Sequence, residues 1–141
     1  SKLLGVCLRG TDYLLYHHPM QPQVEVVVKE AKKYFKLLNC DYYYIATEDY
    51  ALLKSFEKYL PKEKIITYNA GNVRQVDGLI GEQIRKDKSA NDAALDYLTT
   101  LYILNKCSVL IGGKCGATIV ASYRKNPPYE YVNIIDTHKS Y

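Results

Sequence analysis

The sequence has no tryptophan, one methionine and two phenylalanines among its 141 residues, although tyrosine occurs fifteen times. No apolar run approaches the ~20 residues that a transmembrane helix needs, so no membrane-spanning segment is expected. The four cysteines, Cys7, Cys40, Cys107 and Cys115, form no CxxC pair and have no metal-ligand spacing. A reducing compartment is the simple inference, and we expect a cytoplasmic location, the cytoplasmic face of the membrane included.

The length is that of one domain, and almost half of the residues are hydrophobic, which is enough for one core. The formal net charge is +4. The lysines at 29, 32, 33 and 36 are typical of a solvated helix face, although a basic cleft for a diphosphate is compatible with them. Basic residues do not interleave with aromatic ones, so no nucleic-acid partner is expected. Residues 3–6 predict a strand that starts almost at the first residue, and not a signal peptide. We therefore expect this chain to be the C-terminal fragment of a longer protein.

Apolar periodicity predicts strands and helices in alternation. The predicted strands are 3–8, 42–47, 65–68, 108–111 and 131–135, and the predicted helices are 24–38, 49–60, 92–106 and 117–124. We expect Asn39 and Pro61 to end the first two helices, and Asn91, or else Ser89, to cap the third. The predicted apolar face of the third helix is Leu95, Leu98, Leu101 and Tyr102. Segment 69–90 fits neither period and predicts a functional loop or a loop that holds a short helix.

This alternation indicates a doubly wound, Rossmann-like α/β domain with a parallel sheet of about five strands. In such a sheet a ligand binds at the carboxyl ends of the strands. The first strand delivers Arg9, Gly10, Thr11 and Asp12 to this edge. The guanidinium suits a phosphate, glycine allows close approach of a ligand, and the acid can hold the arginine in place. A helix-capping turn or a surface salt bridge is the alternative explanation.

A second candidate segment follows the fourth strand and extends from Gly112 to Thr118, with the turn predicted to start at Gly112. Its candidate site residues are Gly113, Lys114, Cys115, Gly116 and Ala117. A glycine-rich turn that runs into a helix offers backbone N–H groups and a positive dipole end, which together favour a diphosphate. The alternative, of equal weight, is a turn whose glycines only let the helix and the strand pack closely. The segment is not a P-loop, because a cysteine stands where a serine or threonine is required. A helix N-terminus could also make Cys115 a nucleophile, although no arginine follows at the phosphatase spacing.

The second strand ends in Thr47, Glu48 and Asp49. Paired acids at this position could contact a ribose or sugar hydroxyl, or they could cap the following helix. His17 and His18 fit a surface loop better than a ligand site, with contact to an acceptor as the alternative.

Three segments together resemble a known superfamily. GVCLRGTDY (5–13) resembles the first motif of the GT-B fucosyltransferase superfamily, which includes α1,2-, α1,6- and nodulation fucosyltransferases and protein O-fucosyltransferases. YIATED (44–49) resembles its Ala-Thr-Asp-Asp segment, and residues 101–112 resemble its third motif, which ends there in a Ser-Ser turn. The resemblance implies one half of a GT-B fold that binds a nucleotide sugar, most simply GDP-fucose.

The same resemblance implies roles for individual residues. Arg9 matches the arginine that contacts the donor diphosphate and acts in catalysis, and Asp12 matches the acid of that motif. The turn at 114–117 matches the Ser-Ser turn without its hydroxyls. Cys7 and Thr100 stand where the family has the histidine and the acid that read guanine. Asp96, one helical turn before Thr100, could substitute for that acid.

The mechanism implied is metal-independent and cofactor-independent transfer of a sugar to a glycan acceptor, which agrees with the lack of an Asp-x-Asp motif. Because a GT-B enzyme works between two domains, a second domain would be needed in cis or in trans. A non-catalytic nucleotide- or anion-binding domain, or a degenerate glycosyltransferase subunit, is the main alternative. A flavodoxin-like receiver fits less well, since acids do not cluster after the first strand.

Overall fold

The computed structural model describes residues 1–10, 17–68, 90–123 and 126–140. The strands in these ranges are β1 (Leu3–Cys7), β2 (Tyr42–Ala46), β3 (Ile65–Ile66), β4 (Val109–Gly113) and β5 (Tyr131–Ile135). The α-helices are α1 (Val24–Leu37), α2 (Tyr50–Tyr59), α3 (Ala90–Lys106) and α4 (Gly116–Ser122), and a single 3-10 turn, Lys62–Lys64, precedes β3. The predicted order of strands and helices is confirmed.

All five strands are parallel and lie in the order β3-β2-β1-β4-β5. The strand order therefore reverses at β1, since the chain moves outward in one direction from β1 to β3 and then returns to β4 on the other side. This is the order of a doubly wound α/β sheet, and it confirms the predicted Rossmann-like class. The switch between β1 and β4 opens a crevice at the carboxyl ends of these two strands.

Helices cover both faces of the sheet and create two layers of core. One layer packs α1 and α2 against the sheet through residues such as Val27, Ala31 and Phe56. The other layer packs α3 and α4 through Leu104 and Ala121. Successive residues of one strand alternate between these layers, as their opposite side-chain directions require. The central strands are buried on both sides, which explains their continuous apolar sequences.

The first two helices end as predicted. Asn39 follows α1 in the left-handed region, with φ of 53°, and its N–H and that of Leu38 bond back to carbonyls of the last turn. Helix α2 ends at Tyr59, ahead of Pro61.

The third helix differs from its prediction in two ways. It begins at Ala90, which was predicted to be the last residue of the loop 69–90, so Asn91 lies within the helix and does not cap it. The rest of that loop, Ser89 included, lies outside the described residues. Leu95, Leu98 and Tyr102 are exposed, so the predicted apolar face is wrong except for the half-buried Leu101. The helix buries its apolar side chains mainly in its last turns, where Leu104 is fully buried.

Two further boundaries differ near the fourth strand. Gly112 and Gly113 belong to β4, where they pair with Ile134 and Ile135, although a turn is predicted from them. Their lack of side chains allows close approach on both sides, so glycine here is compatible with a strand. The turn itself is Lys114–Cys115, and α4 has only seven residues.

Candidate functional site

Segments that follow three adjacent strands meet at the crevice between β1 and β4. Arg9 and Gly10 come after β1, Glu48 comes after β2, and Lys114 and Cys115 come after β4. Hydrogen bonds connect the segment after β1 to Glu48 directly and to Lys114 through Gln21. The structure thus brings together the three sequence segments that were predicted to form one site, while Thr11 and Asp12 lie outside the described residues.

Glu48 joins the end of β1 to the end of β2. Its Oε1 accepts the Gly10 N–H at 2.6 Å, and its Oε2 lies 3.6 Å from Nη1 of Arg9. A Cβ on Gly10 would lie 2.2 Å from Oδ2 of Asp49, so only glycine fits this approach. Among the described residues, Glu48 is therefore an acid that holds Arg9 in place, whereas the predicted partner Asp12 lies outside them.

The two residues selected after β2 have local structural roles. Thr47 accepts the Asp49 N–H through its hydroxyl at 3.2 Å. Asp49 is the N-cap of α2 and accepts the Ala51 N–H at 2.8 Å, so the capping alternative is confirmed for this acid. Both side chains shape the loop that presents Glu48.

Gln21 connects the end of β1 to the end of β4. Its side chain is only 6% exposed, and its Oε1 accepts the Arg9 N–H at 3.2 Å. Its Nε2 donates to the carbonyl of Lys114 at 3.0 Å and, at 3.4 Å, to that of Pro19. A Cβ on Gly113 would lie 2.1 Å from this Oε1, so Gly113 is required for the amide to reach both strands. The only sequence signal for Gln21 is its position in a polar loop between two prolines, which does not separate it from surface glutamines.

Replacing Gln21 by alanine should lower the free energy of unfolding by about 1–3 kcal/mol, because the Arg9 N–H and the Lys114 carbonyl both lose a partner. Urea unfolding measures this change. Gln23→Ala is a matched control, since Gln23 is exposed and makes no side-chain capping bond. Equal stabilities of the two variants would contradict the bridging role of Gln21.

The turn after β4 is organised by Thr118, which is fully buried. Its hydroxyl bonds to the Gly113 carbonyl, lies 3.3 Å from the Cys115 carbonyl and lies 2.8 Å from Sγ of Cys115. Cys115 is the extended N-cap residue of α4 and is itself buried. Gly116 and Ala117 form the first turn of α4, where backbone N–H groups have no intrahelical acceptor.

The charge of the Cys115 sulfur is set by its neighbours. A hydrogen bond from the Cys7 thiol is the largest effect, and with the Thr118 bonds and the nearby Arg9 it outweighs burial and lowers the pKa of Cys115 to about 6. The same contact, together with burial, raises the pKa of Cys7 well above its ordinary value. These opposite shifts in pKa favour the thiolate form at Cys115 and the thiol form at Cys7.

The two residues of α3 that were candidates for reading the base contact tyrosines of the sheet. The Tyr68 hydroxyl donates to Oδ1 of Asp96 at 3.3 Å. Burial raises the pKa of Tyr44 to about 12, and a hydrogen bond with Thr100 opposes this effect. Asp96 thus lies beside Tyr68, which follows β3, and Thr100 beside Tyr44 of β2.

A shallow depression of about 400 Å³ lies next to the Lys114 turn, lined among others by His17, Lys114, Asp136 and His138. Asp136 Oδ2 is 3.3 Å from Nζ of Lys114 and 3.7 Å from Nδ1 of His138. The His138 backbone N–H is the largest cause that lowers the pKa of Asp136. His17 is exposed, as predicted. The depression carries charged groups of both signs, with Lys114 and Asp136 among them.

Within the described ranges, no three His, Cys, Asp or Glu side chains are grouped so that they could hold a metal ion. In the same part of the chain no helix is both long enough and apolar enough to cross a membrane. No protein-family model matches the sequence, and no curated protein matches it.

Proposed function

We propose that this chain is the donor-binding domain of a fucosyltransferase-like glycosyltransferase, and that its ligand is a nucleoside-diphosphate sugar held at the crevice between β1 and β4. The observation that carries the proposal is the convergence of Arg9, the Glu48 loop and the Lys114 turn on this crevice, connected through Gln21. Doubly wound sheets bind their ligands at such a switch point. The resemblance of three sequence motifs supports the same class of ligand.

Arg9 is the residue proposed to contact the diphosphate. Its guanidinium offers a planar set of donors that matches two phosphate oxygens. The ion pair with Glu48 at 3.6 Å orients the guanidinium, and three quarters of the Glu48 side chain is shielded from solvent. The backbone N–H groups at the start of α4 lie across the crevice and supply further donors. Together they stabilise the negative charge that grows on the leaving diphosphate during sugar transfer.

Fewer residues support a site for the nucleoside than for the diphosphate. Cys7, at the position of the family histidine, is buried in the core beside Cys115, so it does not present a donor to a base. Asp96 accepts from Tyr68 and would have to exchange this bond for one to a guanine. GDP-fucose is therefore proposed as the first donor to test, and a nucleoside diphosphate as the class.

Transfer also requires an acceptor site and a second domain. In the GT-B arrangement a glycan acceptor lies in the cleft between the two domains, and the second domain can be supplied in cis or in trans. We place the reaction in the cytoplasm, where the four free thiols of this chain remain reduced.

A non-catalytic nucleotide- or anion-binding domain is the second candidate, favoured by one observation. The Lys114–Cys115 turn carries a buried thiol in place of exposed hydroxyls, so its contacts to a phosphate are limited to the backbone and to Lys114. Such a turn can bind an anion without promoting transfer.

Thermal unfolding with GDP, UDP, ADP and GDP-fucose tests the proposal. A nucleotide at 100 times its Kd stabilises the protein by about 2.7 kcal/mol, which raises the melting temperature by several degrees. We expect GDP and GDP-fucose to give the largest increases. If UDP gives a larger increase than GDP, the fucose assignment is wrong while the glycosyltransferase class survives. If no nucleoside diphosphate raises the melting temperature, the donor-site proposal is wrong.

A further inference from the structure

The depression next to the Lys114 turn carries more basic than acidic side chains. Among the described residues that line it, the acid is Asp136, and the basic residues are His17, Lys114, His138 and Lys139. We infer that this depression binds a small tetrahedral oxyanion, a sulfate or phosphate group, and binds it more tightly at about pH 6 than at about pH 8. The inference does not rest on the proposed nucleotide ligand, although Lys114 borders both sites.

The acid of the depression is already bonded within the protein. Oδ1 of Asp136 accepts the backbone N–H of His138 at 2.8 Å. Oδ2 of Asp136 lies 3.3 Å from Nζ of Lys114 and 3.7 Å from Nδ1 of His138. The bond from the His138 N–H is the largest cause that holds the pKa of Asp136 below its ordinary value, so the carboxylate stays charged between pH 8 and pH 6. Asp136 therefore offsets one positive charge, and the lining keeps an excess of basic groups.

Hydrogen bonds join the two segments that carry the histidines. Pro19 and Ser140 form an isolated antiparallel bridge, and the Met20 N–H donates to the Lys139 carbonyl at 2.8 Å. The Thr137 hydroxyl donates to the Met20 carbonyl at 2.9 Å. The loop before α1 and the segment after β5 therefore form one wall of the depression. An anion meets basic groups that are already brought together, which lowers the entropy cost of binding.

The two histidines also share an uncommon backbone conformation. The described non-glycine residues with positive φ are His17 at 52°, Asn39 at 53° and His138 at 60°. Asn39 follows α1, whereas both histidines line the depression. Left-handed backbone at a residue other than glycine costs free energy and persists where the surrounding structure holds it in place. The hydrogen bonds between the loop and the segment after β5 therefore fix the backbone from which both imidazoles project.

The pH dependence comes from the two imidazoles. A histidine side chain gains a positive charge as the pH falls from about 8 to about 5, whereas a lysine side chain is charged over this whole range. One added charge at about 4 Å in water changes a binding constant about fivefold. Solvent and salt screen part of this effect at an open site, so we expect about a tenfold change for both imidazoles together.

Sulfate is the probe, because it keeps its charge between pH 8 and pH 6 while a phosphate group does not. An NMR titration of the full chain at low ionic strength follows the imidazole C–H signals and gives the Kd at both pH values. We expect saturable changes at His17 and His138, with a Kd about tenfold lower at pH 6 than at pH 8. An equal Kd at the two pH values, or binding that moves neither imidazole signal, would overturn the inference.

Two variants test whether the imidazole itself is responsible. His138→Asn removes one imidazole and places there a residue that tolerates left-handed backbone. It should raise the Kd for sulfate at pH 6 several-fold and weaken the pH dependence. His18→Gln is the matched control, because His18 is in the same loop but is not among the residues that line the depression. It should bind sulfate like the unaltered chain, and equal Kd values for the two variants would contradict the inference.

Inorganic phosphate and glycerol phosphate, titrated in the same way at pH 6, distinguish the source of the anion. A lower Kd for glycerol phosphate supports a phosphate group carried by a larger molecule, and a lower Kd for inorganic phosphate supports the free ion. These measurements are separate from nucleotide binding. If GDP raises the melting temperature but sulfate leaves both imidazole signals unchanged, this inference alone is wrong. If sulfate binds as described and no nucleotide does, the proposed function alone is wrong.

Discussion

Replacing Arg9 by alanine should weaken binding of a nucleoside diphosphate by about 10- to 100-fold. A hydrogen bond to a charged group contributes about 1.5–3 kcal/mol, and each 1.4 kcal/mol changes a binding constant tenfold. The effect falls mainly on the ligand rather than on the fold, because Glu48 is a quarter exposed and stays partly solvated when its partner is removed. Isothermal titration with GDP measures the change in Kd.

Two further variants separate geometry from charge. Arg9→Lys keeps the positive charge but not the planar set of donors, so we expect an intermediate loss of affinity. Lys32→Ala removes the same charge from an exposed position on α1 and should leave the Kd unchanged. Equal losses for Arg9→Ala and Lys32→Ala would show that only the net charge attracts the nucleotide.

Replacing Gly112 by alanine should lower the free energy of unfolding more than replacing Gln21 by alanine does. The new Cβ would lie 2.4 Å from the Cys7 carbonyl oxygen and 2.7 Å from Cγ2 of Thr118. The first of these is backbone in the centre of the sheet and cannot rotate away, so β4 itself must shift. Overpacking of a tight core typically costs 1–3 kcal/mol and sometimes more, and we expect at least about 3 kcal/mol here. The melting temperature should fall by roughly 10 °C.

Gly116→Ala is the matched control for this substitution. Gly116 is the first residue of α4, and a Cβ there meets nothing within 4 Å. Alanine is favoured over glycine in a helix by roughly 0.5–1 kcal/mol, so the control should be neutral or slightly stabilising. Calorimetric melting of both variants compares them directly. A Gly112→Ala variant as stable as Gly116→Ala would contradict the close approach of β1 and β4.

Much of the fold is predictable because it follows from local patterns. The spacing of Val27, Val28 and Ala31 predicts α1, and the same three residues are buried in the structure. The alternation of strands and helices limits the sheet to a few arrangements and places Arg9 and Lys114 at the same edge. These inferences need only the period of the apolar residues and the positions of glycine, asparagine and proline.

Other features depend on contacts between distant segments and leave no local pattern. Gln21 is identified only by its bonds to Arg9 and Lys114, the second of which is 93 positions away in the sequence. Glu48 and Asp49 are adjacent acids, and only the structure shows that Asp49 caps α2 while Glu48 contacts Arg9 and Gly10. The apolar face predicted for α3 was wrong for the same reason, since periodicity does not reveal which turns of a helix reach the sheet.

The most direct test of the central claim is amide NMR of the isotopically labelled chain during titration with GDP. The proposal predicts the largest chemical-shift changes at Arg9 and Gly10, at Glu48, and at residues 113–117. Amides in the last turns of α1 and α2, at the opposite edge of the sheet, should change little. Saturable changes confined to the crevice would support a nucleoside-diphosphate site between β1 and β4. Binding that leaves these amides unchanged and shifts other residues would contradict it.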